Sequence, residues 1–184
     1  MADLASVADL KQWLGLTTNV DDALLDRLVA AASGFVEIYL GRPVLEATFD
    51  EFYDGTGGAI LAVPLLPGQR ITAVLSLTID GRTVLPQAAI GGAGYRFDAN
   101  CLTLAGDRFT RGRRNVALVY RAGFLATPPE IVQACIELAA LRYRERDRIG
   151  HVSKAVGGET VSFSQKDMPA QLAVLLAKYQ RVVL

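Results

Sequence analysis

The sequence predicts an α+β protein: an α-helical bundle made of an N-terminal helix pair, a long central helix and a C-terminal helix, with a β-rich antiparallel insertion between the second and third main helices. Three observations lead there. Apolar residues recur at helical spacing near both ends of the chain. Between about Ala47 and Gly123 that spacing gives way to short β-prone runs broken by Gly, Pro and Asp. Finally, 184 residues at 51% hydrophobic content supply one good core and fall short of two independent domains. The expected organisation is a single domain over 1–184, with 47–123 as an inserted subdomain and 150–166 as a long projecting loop.

Ser6-Val7-Ala8-Asp9 has the form of a helix start, and Leu10, Trp13 and Leu14 follow at helical spacing before Gly15. Thr18 or Asn19 can cap a second helix, whose first turn holds Asp21 and Asp22 where the helix dipole favours acids. Leu24, Leu25, Leu28, Val29, Ala32, Phe35, Val36 and Tyr39 carry it to Gly41 and Pro43, which stop it.

In the middle third, residues 70–79 read as a strand, Asp80-Gly81 as a tight turn and Thr83 to Leu85 as its return. Tyr95 to Phe97 and Leu102 to Leu104 flank Asp98-Ala99-Asn100 as a second hairpin, and Asn115 to Arg121 forms a last strand. These runs predict one small, mostly antiparallel sheet.

Thr127-Pro128-Pro129-Glu130 then announces the central helix, with a threonine cap, prolines in the first turn and a glutamate at the capping-box position. The helix is expected to run to about Arg148. From Ile131 to Leu141 only Gln133 and Glu137 interrupt its apolar character, which predicts burial on more than one side. Residues 150–166 are polar and glycine-containing, a long loop or a loose hairpin. Asp167 can cap a last helix with Pro169 in its first turn and Leu172, Leu175, Leu176, Tyr179 and Val183 on one stripe. The apolar end Val182-Val183-Leu184 is better buried against a neighbour than left in water, a candidate subunit-interface or partner-docking segment.

Charge excludes a surface devoted as a whole to nucleic acid or anionic lipid, since 19 basic residues balance 19 acidic ones. Residues 1–50 nonetheless carry eight acids against three bases, so identical copies could pack acidic side to basic side, the kind of contact that closes rings. A solvated mixed surface explains the same counts. No apolar run approaches the about 20 residues of a membrane-spanning helix, and no leader pattern is present, so a soluble protein is expected. Cys101 and Cys135 stand apart without metal-ligand spacing, which suits a reducing cytoplasm.

Catalytic signatures are lacking, and neither a cofactor nor a metal is expected. His151 is the one histidine and lies in the 150–166 segment, and no serine stands in a G-x-S-x-G elbow. The glycines at 91–94 and 157–158 do not continue into the lysine and Ser/Thr of a phosphate loop. Asp50, Glu51 and Asp54 are the acids an enzyme would have to use. Two basic clusters remain: Arg108, Arg111, Arg113 and Arg114 before a strand, and Arg142, Arg144, Arg146 and Arg148 at a helix end. Helix-end cations and apolar arginine stems explain much of this, with contact to DNA or a partner as the other reading. No interleaved aromatics offer a base-stacking platform.

Three segments resemble the head-tail connector family of tailed bacteriophages, also called head-completion or adaptor proteins. They are ADLKQWLGL with DDALLDRLVAAASGFVEIYLGRPV, then TPPEIVQACIELAALRYRERD, then VGGETVSFSQKDMPAQLAVLLAKYQ. The resemblance implies a structural virion protein, not an enzyme, that forms a homo-oligomeric ring, commonly twelve-fold, beneath the portal protein. Such a ring completes the DNA-filled head, offers a surface to tail or stopper proteins and lets double-stranded DNA pass through non-specifically. It would sit at the head-tail junction of the virion after assembly in the bacterial cytoplasm, without a membrane partner. Candidate portal or DNA-channel contacts are then Arg142, Arg144, Arg146, Arg148, His151 and Lys154. The alternative is a small non-catalytic protein-binding module, regulatory or chaperone-like, acting as monomer or dimer.

Overall fold

The structure is a computed structural model and describes residues 3–89, 91–146, 153–156, 159–162 and 169–180. Mixed helix and antiparallel sheet follow one another as α1 (Val7–Leu14), α2 (Asp22–Leu40), β1 (Ala47–Gly55), β2 (Ile60–Ala62), β3 (Arg70–Ile79), β4 (Arg82–Thr83), β5 (Gly94–Phe97), β6 (Cys101–Ala105), β7 (Gly112–Gly123), α3 (Pro129–Glu145), β8 (Ser153–Val156), β9 (Glu159–Ser162) and α4 (Ala170–Ala177). The chain divides into two units, Met1–Tyr39 with Thr127–Lys178 and Leu40–Ala126 with Tyr179–Leu184.

In the helical unit, Ser6 caps α1 by accepting a hydrogen bond from the Asp9 amide at 3.1 Å. Leu10 is fully buried, whereas Trp13, expected on the same stripe, is half exposed. On α2 the buried side chains Leu25, Val29, Ala32 and Val36 recur every three or four residues, so one stripe faces inward. Ser33 lies among them and is satisfied locally: it accepts from the Leu4 amide at 3.0 Å and meets Cys135 of α3 at 3.4 Å. Burial pushes the Cys135 thiol pKa up and keeps it neutral.

Helix α3 packs against α1 and α4 within this unit. Ile131, Ala134, Cys135, Ile136, Leu138, Ala139, Ala140 and Tyr143 are buried, which covers most of its circumference. Its start differs from the expected threonine cap. Pro128 is the N-cap, at φ −55° and ψ 139°, no side chain caps the helix, and the Ile131 and Val132 amides both bond to the Pro128 carbonyl. The ring of Pro129 denies the preceding residue a helical conformation, so sterics set this boundary where a hydroxyl was expected to. Pro169 is the N-cap of α4, at φ −58° and ψ 138° and likewise without a side-chain cap, while Asp167, the expected cap, lies outside the described residues. The described part of α3 ends at Glu145 with Arg146 as its C-cap.

The second unit holds two sheets where one was expected: a four-stranded sheet ordered β1-β7-β3-β4 and a three-stranded sheet ordered β2-β6-β5. Strand β7 is central, antiparallel to β1 on one side and to β3 on the other. Its alternate residues Val116, Leu118, Tyr120 and Ala122 are fully buried, and with Ile71, Leu77 and Ile79 of β3, Leu102 and Leu104 of β6 and Phe109 they form a single core. Each large apolar side chain so buried contributes about 1.5–3 kcal/mol. The β3–β4 hairpin turns on Asp80 and Gly81 at φ 49° and 78°, the double positive-φ turn that an Asp-Gly pair favours. Its return strand is only Arg82–Thr83, shorter than and offset from the expected Thr83 to Leu85.

In the 150–166 segment, β8 and β9 pair antiparallel, with Val156 opposite Glu159.

Candidate functional site

Three places in the fold concentrate polar chemistry. At the end of α3, the Arg142 guanidinium stands 5.4 Å from the centre of the Phe35 ring. Arg146 lies 3.9 Å over the Tyr143 ring and donates to the Tyr143 carbonyl at 3.3 Å. The Tyr143 hydroxyl in turn donates to Asp21 at 2.5 Å, which raises its pKa. Arg144 is exposed. Of the remaining predicted contacts, Lys154 lies on β8 opposite Val161, while Arg148, His151, Val182, Val183 and Leu184 lie outside the described residues.

The second place is the chain from Asp107 to Asn115, which leads into β7 and includes its first residues. Arg108, Arg111, Arg113 and Arg114 are all exposed here, the last two on β7 itself and not before it. The Asn115 side chain organises the segment. Its carbonyl oxygen accepts from the Gly55 amide at 2.8 Å, and its Nδ2 donates to Asp80 at 3.0 Å, to the Thr110 carbonyl at 2.9 Å and to Thr110 Oγ1 at 3.2 Å. Thr110 also donates to Asp80, and Asp54 accepts from the Arg114 amide at 2.6 Å. Hydrogen bonds from Thr110 and Asn115 hold the Asp80 carboxyl below its ordinary pKa, and Arg82 with the Arg108 amide does the same for Asp107. The packing leaves no room for side chains at two glycines: a Cβ at Gly55 would overlap the Thr110 carbonyl oxygen, and one at Gly112 would come within 2.6 Å of Asn115 Cγ.

The third place is an open groove of about 1000 Å³, lined by Glu51, Phe52 and Tyr53 of β1, the turn from Pro64 to Gln69, and Asn100. Gln69 fixes that turn, accepting from the Leu66 amide and donating to the Pro43 and Val44 carbonyls at 2.7 and 3.0 Å. Beside the groove, Arg42 is buried and lies 3.9 Å over the Phe49 ring. It donates to the Pro64 carbonyl at 2.9 Å and to Tyr120, and pairs with Glu51 at 3.3 Å. Glu51 also accepts from the Tyr120 hydroxyl at 2.7 Å and from Tyr53. Burial, aided by the bond to Glu51, pushes Tyr120 up to about 12, and the same two causes raise Tyr53 further. Both phenols therefore stay protonated donors at neutral pH.

Of the three carboxylates an enzyme would have to use, Glu51 is engaged by Arg42 and two tyrosines and Asp54 by a backbone amide, while Asp50 is exposed on β1. Among the described residues no group of three or more His, Cys, Asp or Glu is placed to hold a metal ion, and no helix is long and apolar enough to cross a membrane. The Arg42 cluster escaped sequence reasoning because its members lie up to 78 positions apart. Strand β1 was equally missed, although its residues alternate between half-buried and exposed positions.

The polar groups of these sites hold strands and turns in place, and the arginines of the 108–114 segment are turned outward. The chain belongs to the head completion protein family, whose model matches residues 3–182. Its role is that of a structural component of the head-tail connector. No curated protein matches the chain. Among solved structures, the fold is similar to that of a chain in the neck of an empty GTA particle computed with C6 symmetry. The two are 21% identical with a TM-score of 0.57, over 98% of this chain and 91% of that one.

Proposed function

We propose that the protein acts as one subunit of a closed homo-oligomeric ring at the head-tail junction of a virion, seated beneath the portal and presenting its other surface to a tail or stopper protein. The observation that carries this reading is the family match over residues 3–182, joined by a fold shared along 98% of the chain with a component of a particle neck. The neck was computed with six-fold symmetry, which a ring of twelve also satisfies. In this reading α1 to α4 form a bundle within one connector domain, and the β-rich unit is an insertion. Arg142, Arg144, Arg146 and Arg148, with His151 and Lys154, face the portal or the DNA channel, and Val182 to Leu184 pack against a neighbouring subunit. The protein is assembled in the host cytoplasm, needs no cofactor and catalyses nothing.

The test is native mass spectrometry of the purified protein, alone and mixed with a portal ring. A closed oligomer in either sample, with a mass of twelve subunits, is the expected result. A monomer or dimer that ignores the portal would overturn the ring and favour a small binding module.

A further inference from the structure

We propose that the segment 108–114 is a contact for the phosphate backbone of duplex DNA, made without regard to base sequence. The inference rests on the reading that a duplex passes the ring, and it assigns the contact to the arginines of the β-rich unit and not to those of α3.

Four features of the segment carry it. Arg108, Arg111, Arg113 and Arg114 are exposed, and among the described residues none of them forms an ion pair. Their internal engagements are slight: Arg111 Nε reaches the Thr56 carbonyl at 3.5 Å and Arg114 stands 5.1 Å over the Phe52 ring. Counting Arg82 with these four, five arginines meet three aspartates here, Asp54, Asp80 and Asp107. Each aspartate already accepts hydrogen bonds from within the fold, Asp107 from Arg82 and the Arg108 amide, so the guanidiniums of Arg108, Arg111, Arg113 and Arg114 are the ones left to solvent.

The backbone is also held in advance of binding. The four bonds of Asn115, the Thr110–Asp80 bond and the close approach at Gly55 and Gly112 fix the chain that bears the arginines, which lowers the ordering cost of a contact. The composition favours a polyanion over a protein partner. Phe109, the one large apolar residue between 106 and 115, is fully buried, so the segment lacks the apolar centre typical of protein interfaces. It equally lacks the means to read bases: Asn115 is occupied, and no exposed aromatic lies in the segment to stack on one. Arginine forks without base-reading groups match phosphate oxygens.

The test is anisotropy of a labelled 30-base-pair duplex titrated with the full-length protein from about 50 to 200 mM salt, with mass measured on the same samples. The variants are the triple change Arg108→Gln, Arg111→Gln and Arg113→Gln, and, as a control at exposed arginines outside both clusters, the double change Arg27→Gln and Arg96→Gln. Removing one arginine–phosphate pairing should reduce the slope of log affinity against log salt by about 0.9, hence by about three for the triple variant, with affinity down at least about tenfold at low salt. The double variant should keep the parent slope. A parent that forms rings yet shows no duplex binding overturns this proposal alone. So does an unchanged slope in the triple variant, or displacement of the duplex by poly-glutamate at equal charge, which would point to an acidic protein partner. A parent that forms no ring, either alone or mixed with a portal ring, overturns the proposed function instead, which the mass measurement reports separately.

Discussion

Two arginine-rich segments, 108–114 and 142–146, are alike in composition and unlike in surroundings. At the end of α3, Arg142 and Arg146 lie over the rings of Phe35 and Tyr143, and Arg146 returns a hydrogen bond to the last turn of its own helix. Cations there complement the helix dipole and cover aromatic surface, which are uses internal to the fold. In 108–114 the internal bonds belong to the neutral and acidic residues, Asn115, Thr110, Asp80 and Asp54, and the guanidiniums are left outside them. Charge density in a sequence therefore says little about availability. What decides it is whether the scaffold is built from the charges or beneath them.

Arg42 marks the far end of this comparison, an arginine wholly enclosed by the fold. Replacing it with methionine keeps the apolar stem over Phe49 but removes the bonds to Pro64 and Tyr120 and leaves Glu51 without its cation. Breaking a buried pair in this way costs about 3–5 kcal/mol, and because the Glu51 side chain is one-third exposed, the expected loss is about 2–4 kcal/mol in urea unfolding. Glutamine at Arg108 or Arg113 should change stability by less than about 0.5 kcal/mol. Equal losses at the buried and exposed positions would erase the distinction.

How far the sequence disclosed these surroundings follows the range of the interactions. Helices α1 to α4, the Asp80-Gly81 turn and the β5–β6 hairpin were legible because their signals are local: a cap, a period, a dipeptide. The start of α3 falls at Pro128 and not at Thr127 because the hydroxyl pattern and the proline pattern overlap there, and proline sterics prevail. The division into two sheets and the place of β1 depend on partners far along the chain, such as Thr103 opposite Ile60 and Val116 opposite Tyr53. Both basic clusters were visible as runs of arginine. Phe35 beneath Arg142 and Asn115 beneath the 108–114 segment were not, since neither position carries a motif. The bonds of Asn115 to Gly55 and Asp80 join three separate stretches of chain.

Asn115→Ala tests that scaffold directly. The change removes four hydrogen bonds and leaves the Gly55 amide and the Thr110 carbonyl to find water, at a cost of about 1–3 kcal/mol. Amide exchange around Thr110 should accelerate, and duplex affinity should fall with the arginines still present, because they would no longer be held in place. Amides near Phe35 and Arg142 should keep their protection. Loss of stability without loss of affinity would mean that a loose segment serves the contact as well as a rigid one.

Acid separates the two segments without any mutation. Asp80 and Asp107 titrate below the ordinary value of 3.8 because the fold hydrogen-bonds their ionised forms, Asp80 through Thr110 and Asn115 and Asp107 through Arg82 and the Arg108 amide. A carboxyl with a depressed folded pKa contributes its stabilisation above the unfolded value and loses it as pH falls through the folded one. Amide and side-chain signals of Thr110 and Asn115 should therefore hold steady from pH 7 to about 4 and shift below 3.8, while the contact of Arg142 with Phe35, which contains no group titrating in that interval, stays unchanged. Asp80→Asn should flatten the response at Thr110 and Asn115 but leave that of Asp107 in place. Signals that stay unaltered in the parent until the fold itself unfolds in acid would show that these carboxylates do not hold the segment, and the rigidity of 108–114 would then rest on Asn115 and the two glycines alone.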